Sequence, residues 1–252
     1  MSPRGRIEYR LALRIRRQVI DGMIDRGVSG IIYASLYTRR VKLSKVLRAQ
    51  PLVLLNCTTS ARGIPTVIPD ERAAGRAVAR ELVRFGHRDG IVLVGEQPRA
   101  IYAAGERRFG VDEILDQHGA RPAATIDTLW WPEPAYQAVR DYLASGHRPT
   151  AFVCLNDRIA VGTYQAAAEF DLAIPGDLSV LSFDDSDLAS WLRPGLTSVA
   201  IPHFELGRRA VEILLDPDKP TGVQRIPMPL RNRESIGAPG RSRPTPRSTG
   251  RP

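Results

Sequence analysis

The chain has 252 residues, 43% hydrophobic and 25% charged, enough to bury a sizeable core as one long domain or two lobes, and no apolar run reaches the ~18 residues of a membrane span. Its formal net charge of +9 sits at the two ends: residues 1–17 hold six arginines against Glu8, and residues 231–252 hold six against Glu234. The body between is close to neutral, a poor electrostatic footprint for a duplex phosphate backbone, and the basic N-terminus has neither the apolar stretch nor the cleavage site of a secretory signal.

Strand-like apolar runs alternate with helical patterns along the chain, the signature of a mainly parallel sheet with crossover helices. Residues 7–27 read as a helix with Leu13, Ile20 and Ile24 among its apolar positions, ending near Gly27. Residues 30–34 (GIIYA) read as a strand, 41–49 as a short helix, and 52–56 (LVLLN) as a strand after the breaker Pro51. Cys57 and Cys154 are far apart, each in an apolar run, and read as buried free thiols in a reducing cytoplasm. Residues 66–68 read as extended. Asp70 then caps a helix over 71–85 whose apolar face is Ala74, Val78, Leu82 and Phe85. Arg72, Arg76, Arg80 and Arg84 recur on its other side, where a solvated outer face is the default and a phosphate-binding stripe the alternative.

Further on, residues 91–94 (IVLV) form a predicted strand and 107–118 a helix ended by Gly119. Residues 123–129 read as extended and 135–144 as a helix stopped by Ser145 and Gly146. A strand over 151–155 leads into Asn156-Asp157 and a helix to Phe170, then the turn IPGD at 174–177. A strand over 178–183 ends in Asp184-Asp185, and a loop near Pro194 leads to a strand at 197–201 and a last helix at 204–215. From Ala238 the composition leaves nothing for a core, so 238–252 is expected to be a disordered tail.

In open parallel sheets, ligands bind beyond the carboxyl ends of strands. Asn56, Asn156 and Asp184 each directly follow a run expected to be buried. Amides that donate and accept, with a carboxylate that accepts, suit a neutral polar ligand such as a sugar or nucleoside. For Asn156 and Asp157 taken alone, cap and turn chemistry is the favoured account, whereas the adjacent acids Asp184 and Asp185 repel unless something engages them. Catalysis has little support: no His pairs by spacing with a nucleophile or metal ligand, and no phosphate-loop or nucleophile-elbow motif occurs. His87 and His147 follow helix-ending glycines, where a partial positive charge is favourable, and read as capping groups.

The segment 149–215 (RPTAFVCLNDRIAVGTYQAAAEFDLAIPGDLSVLSFDDSDLASWLRPGLTSVAIPHFELGRRAVEILL) resembles the lactose/purine-repressor family of transcription regulators. Several spaced elements match together: a strand ending in Asn-Asp, a helix with an Ala-x-Gly step, a strand ending in Phe-Asp-Asp, and a final Leu-Gly helix. The resemblance extends upstream through 26–35 (RGVSGIIYAS), LVLLN, the helix opening at Asp70, and the Arg-x-x-Gly of Arg107 and Gly110. It implies an α/β fold of two Rossmann-like lobes, parallel sheets with flanking helices of the type I periplasmic-binding-protein kind. The N-lobe is expected over 1–87, the C-lobe over 88–198, and the return to the N-lobe with the final crossover over 199–237. It implies that Arg107 bonds polar groups of an effector and that Asp184 accepts from effector hydroxyls or ring nitrogens. Asn56 and Asn156 match strand-end pocket positions, and Trp130 matches an aromatic stacking platform, with a core or surface aromatic as the equal alternative.

Two departures are visible. Ile201 stands where relatives commonly place Gln. The chain also begins at what resembles the second helix and third strand of the N-lobe, so that lobe is expected to be incomplete and the helix-turn-helix head missing. The expectation is therefore a cytoplasmic, homodimeric, non-enzymatic effector domain without cofactor, reaching operator DNA only through a head missing from this chain. A solute-binding protein of a sugar transporter is the alternative.

Overall fold

The computed structural model describes residues 17–96, 101–216, 218 and 220–240. The first part of the helix predicted over 7–27 and most of the tail predicted at 238–252 lie outside the described residues. In chain order the elements are helix α1 (described over 17–25), β1 (Ile31–Arg40), α2 (Lys45–Arg48), β2 (Leu52–Thr58), β3 (Thr66–Pro69) and α3 (Glu71–Arg84). Next come β4 (Ile91–Glu96), α4 (Tyr102–Gln117), β5 (Ala124–Asp127), α5 (Pro132–Ala144), β6 (Ala151–Cys154) and α6 (Asp157–Glu169). The series ends with β7 (Ser179–Asp184), α7 (Asp187–Trp191), β8 (Thr197–Ala200), α8 (His203–Leu215), β9 (Val223–Ile226) and β10 (Leu230–Arg231).

The strands form two sheets, in the orders β1-β2-β3-β9 and β10-β8-β7-β6-β4-β5. The chain divides into two compact units, one from described residues within 17–36, 40–68 and 204–224, the other within 37–39, 69–203 and 225–240. This division differs from the boundary expected at residue 87. Helix α3 belongs with the second unit because its apolar stripe, Ala74, Val78 and Leu82, joins the core that also holds Val111 and Leu115 of α4.

In the first unit, β2 and β3 run parallel with Leu54 opposite Thr66. Its core is small, built from Ile20, Ile31, Val41, Leu47, Leu52, Leu54 and Cys57. In the second unit the β4, β5, β6, β7 and β8 pairings are all parallel, and only β10 runs antiparallel, against β8. Strand β6 is buried at every position, as expected of a strand covered on both faces, and that explains its unbroken apolar run. Local capping is as read from the sequence: the Asp70 carboxylate accepts from the Ala73 N–H at 3.0 Å to open α3.

Helices α3 and α4 cross at van der Waals contact through reciprocal glycines. A Cβ on Gly75 would lie 2.1 Å from the Arg107 carbonyl oxygen, and one on Gly110 would lie 2.1 Å from that of Arg72. Three of the four arginines of the α3 stripe pair with acids. Arg72 and Arg76 both bond Glu113 at 3.1 Å, and Arg84 bonds Glu81. Helix α4 begins at Tyr102, earlier than expected at Arg107, because Ala103 and Ala104 are buried although the YAAGE stretch shows little sequence periodicity. Strands β9 and β10 and helix α7 are too short and polar to have been read from sequence.

The two histidines after helix-ending glycines differ. His147 Nδ1 lies 2.7 Å from Ser145 Oγ and 3.3 Å from the Tyr142 carbonyl, at the end of α5, with its ring stacked on Tyr142. His87 is fully buried instead. Its ring nitrogens meet Thr150 Oγ1 at 3.1 Å, Ser179 Oγ at 3.1 Å and the Gly237 carbonyl at 3.0 Å, tying two strand openings to the C-terminal segment. It is therefore a core group rather than a capping cation, and burial holds its pKa below the ordinary 6.5. An unfolded chain binds this proton more readily than the folded one, so the His87 contribution is intact above about pH 6.5 and declines as pH falls from there through the lowered folded value. Denaturation profiles of wild type and His87→Gln should accordingly converge on acidification below pH ~6. A constant gap between them across pH 5–8 would show that His87 is not neutral in the core.

Candidate ligand-binding site

Four of the residues singled out from sequence come together in the second unit, at the carboxyl edge of its sheet. Strand β7 ends in Asp184, β6 runs into Leu155 and Asn156, β4 ends beside Gly95, and the segment after β5 carries Trp130. Arg107, from α4, lies among them. The fifth, Asn56, lies in the first unit and does not end its strand as expected: β2 continues to Thr58, and Asn56 Nδ2 donates to the Ser35 carbonyl at 3.0 Å.

Asn56, Asp184 and Asp185 all have positive φ, at 54°, 108° and 49°. Such backbone is unfavourable for side chains other than glycine and tends to persist where surrounding structure holds it for a purpose. The repulsion expected between Asp184 and Asp185 is relieved by separate partners. Asp185 meets Arg233 at 2.6 Å and Arg231 at 3.9 Å, while Asp184 faces both Nη atoms of Arg107 at 3.5 Å.

Arg107 is the centre of the cluster and is only 2% exposed. Its Nε donates to Glu71 at 2.7 Å and its Nη1 to the Leu155 carbonyl at 2.5 Å. The guanidinium lies 4.7 Å from the centre of the Phe183 ring and 5.9 Å from that of Trp130, distances at which an aromatic face attracts a cation. Glu71 in turn accepts from Thr38 Oγ1 at 3.1 Å. Trp130 is half-buried and donates its indole N–H to the Gly95 carbonyl at 2.7 Å, so its ring orientation is held by backbone.

Burial raises the Asp184 carboxyl to a pKa of about 7, with the Arg107 charge pulling the other way and Asp157 and Glu71 adding to the rise. Asp157, at the first turn of α6, is buried and accepts from Ser198 Oγ at 2.7 Å, Ser186 N at 2.7 Å and Ser186 Oγ at 2.9 Å. Those bonds tie the start of α6 to β8 and to the turn that follows Asp184. Asn156 is a helix cap: its Oδ1 accepts from the Ile159 N–H at 2.8 Å.

Sequence reasoning missed Glu71, Asp157 and Phe183 as members of this cluster. Glu71 had a legible signal, since it lies on the same helical stripe as Ala74, Val78 and Leu82. An acid on a buried face requires a partner. Among the described residues no three His, Cys, Asp or Glu side chains are grouped to hold a metal, and no helix is long and apolar enough to cross a membrane.

A periplasmic binding protein-like domain family matches residues 79–236. The chain is 35% identical to the HTH-type transcriptional regulator MalR of Streptomyces coelicolor, over 79% of this chain and 60% of that protein. It is 30% identical to the ribose operon repressor of Haemophilus influenzae, over 87% of this chain and 64% of that protein. The chain thus spans less than two thirds of the length of these relatives. Among solved structures, a LacI-family transcriptional regulator from Rhizobium etli superposes with a TM-score of 0.76 at 25% identity, covering 87% of this chain and 82% of that one. A ribose-bound regulator from Enterococcus faecium superposes with a TM-score of 0.73 at 25% identity, covering 87% and 84%. Parallel sheets with flanking helices, strand-end polar residues and these relatives agree: the chain belongs to the lactose-repressor (LacI) family of transcription regulators, and carries its periplasmic-binding-protein-like domain.

Proposed function

We propose that this chain is the effector-sensing part of a transcriptional repressor and binds a sugar or nucleoside-like molecule at Asp184, Arg107 and Trp130. The observation that carries this reading is Asp184 itself. It is a strand-end carboxyl with strained backbone, oriented by Arg107 and 32% exposed, beside an aromatic ring held in place by a backbone carbonyl. An acceptor next to an aromatic face is what a polyhydroxy ring offering O–H donors and an apolar face requires. Asn156 supports the site indirectly, by fixing the start of α6. The protein acts in the cytoplasm as a homodimer and performs no reaction of its own; operator DNA is its regulatory target.

Calorimetric titration of the chain with neutral sugars and nucleosides tests this. At least one should bind, and Asp184→Asn should weaken it about 10- to 100-fold, the value of a hydrogen bond to a charged group. Because the ligand donates to the ionised carboxylate, affinity should rise with pH through about 7 in the wild type and stay flat in the variant. No binding by either class would refute the reading, and unchanged affinity in Asp184→Asn would remove Asp184 from the site.

A further inference from the structure

The pairing of Arg107 with Glu71 bears on which ligands the site can hold. Anionic ligands are ordinarily gripped by a guanidinium with N–H groups to spare. Arg107 has little to offer: Nε is taken by Glu71, Nη1 by the Leu155 carbonyl, and both Nη atoms face Asp184. Glu71 and Arg107 are each 2% exposed, so their opposite charges cancel where solvent does not screen them. The buried cluster then keeps two further acids, Asp157 and Asp184. Asp157 is occupied by Ser186 and Ser198, which leaves Asp184 as the cluster's accessible charged group.

Resting on the effector-site reading above, we propose that Glu71 is a specificity-determining residue, which by neutralising Arg107 restricts the site to uncharged polyhydroxy ligands and excludes their phosphorylated or carboxylated counterparts. Glu71 need not touch the ligand. It acts through Arg107, by compensating the guanidinium's charge and taking its Nε donor, and by leaving the Asp184 carboxylate to repel an approaching anion. A glutamine at this position removes the charge and keeps one oxygen to accept from Arg107 Nε, its amide N–H group then facing Thr38 Oγ1, which can accept. The Arg107 cation would then be uncompensated by Glu71 and available to an anion.

The experiment compares matched ligand pairs: ribose with ribose 5-phosphate, and adenosine with adenosine monophosphate. Each is titrated calorimetrically into wild-type protein and into Glu71→Gln, with circular dichroism to establish that the variant is folded. In the wild type, the neutral member of a pair that binds should be favoured over its phosphate by on the order of tenfold or more, as expected for a like-charge contact. In Glu71→Gln that preference should shrink by on the order of tenfold or reverse. A merely structural role would weaken both members alike and leave the ratio unmoved, which would overturn the proposal. Tighter wild-type binding of a phosphate than of its neutral parent would also overturn it, even if Glu71→Gln failed to fold, while leaving the effector-site reading intact. Failure of every member of both pairs, and of the wider sugar and nucleoside set, would reject that reading and this one with it.

Discussion

Arg107→Met is expected to cost about 3–5 kcal/mol of folding stability, the range for removing one partner of a buried ion pair. The reason is the fate of Glu71. Its carboxylate is 2% exposed, and without Arg107 it keeps only the Thr38 hydroxyl as a partner among the bonds described for it. The Leu155 carbonyl loses its guanidinium donor as well. Methionine fills much of the vacated volume, so the loss reports the uncompensated charge rather than a cavity. The double variant Glu71→Met/Arg107→Met isolates the cause, because replacing both charges by apolar groups is commonly close to neutral. Urea denaturation of the wild type, the single variants and the double variant measures the cycle. A loss below about 1 kcal/mol in Arg107→Met would place the pair among exposed, weakly contributing ion pairs and contradict the burial described above.

Gly75→Ala should also be strongly destabilising, by about 2–3 kcal/mol, toward the upper end for overpacking. The sign is the informative part. In an unconstrained helix interior, alanine stabilises relative to glycine by roughly 0.5–1 kcal/mol. Here the added Cβ would lie 2.1 Å from the Arg107 carbonyl oxygen, 2.9 Å from its carbon and 3.1 Å from the Gly110 Cα. All three obstacles are backbone, so relief requires α3 and α4 to separate by more than an ångström. That separation acts one turn from Glu71, on the same helix, and at Arg107 itself. Ligand affinity should therefore fall together with stability in Gly75→Ala. Thermal and urea denaturation give the stability change, and titration with a ligand found above gives the affinity. Stabilisation by Gly75→Ala would show that the helices do not approach as closely as described.

Much of this protein could be read from its residues, and the limits of that reading have physical causes. The strand ends at Asn156 and Asp184 were legible because an apolar run stopping at Asn or Asp marks where buried backbone emerges beside a helix start, whereas β2 runs past Asn56 to Thr58 and leads to another strand. Asp70 and Asn156 behave as the local cap chemistry requires. Boundaries were less legible where the pattern was weak, as at the alanine-rich start of α4, or where short strands β9 and β10 gain their identity only from partners distant in sequence. The role of His87 was misread for the same reason. Its neighbours in sequence suggest a helix terminus, but its actual partners include Thr150 and Ser179, 63 and 92 residues away.

The amino-acid order by itself determined the alternation of elements and the place of Asn156 and Asp184 after buried runs, because periodicity, capping residues and turn residues act over a few positions. The family, and Arg107 and Trp130 as groups near a ligand, followed from the resemblance of several spaced motifs. Tertiary structure alone decided what those groups can do. Arg107 could have been a free guanidinium for an anion, but Glu71, 36 residues earlier, takes its Nε. Asp184 and Asp185 could have been one acidic pair, but Arg107 and Arg233 draw them to different partners. The reason is that charge compensation in a core depends on distance and burial, and the fold sets both by bringing together residues that the sequence keeps far apart.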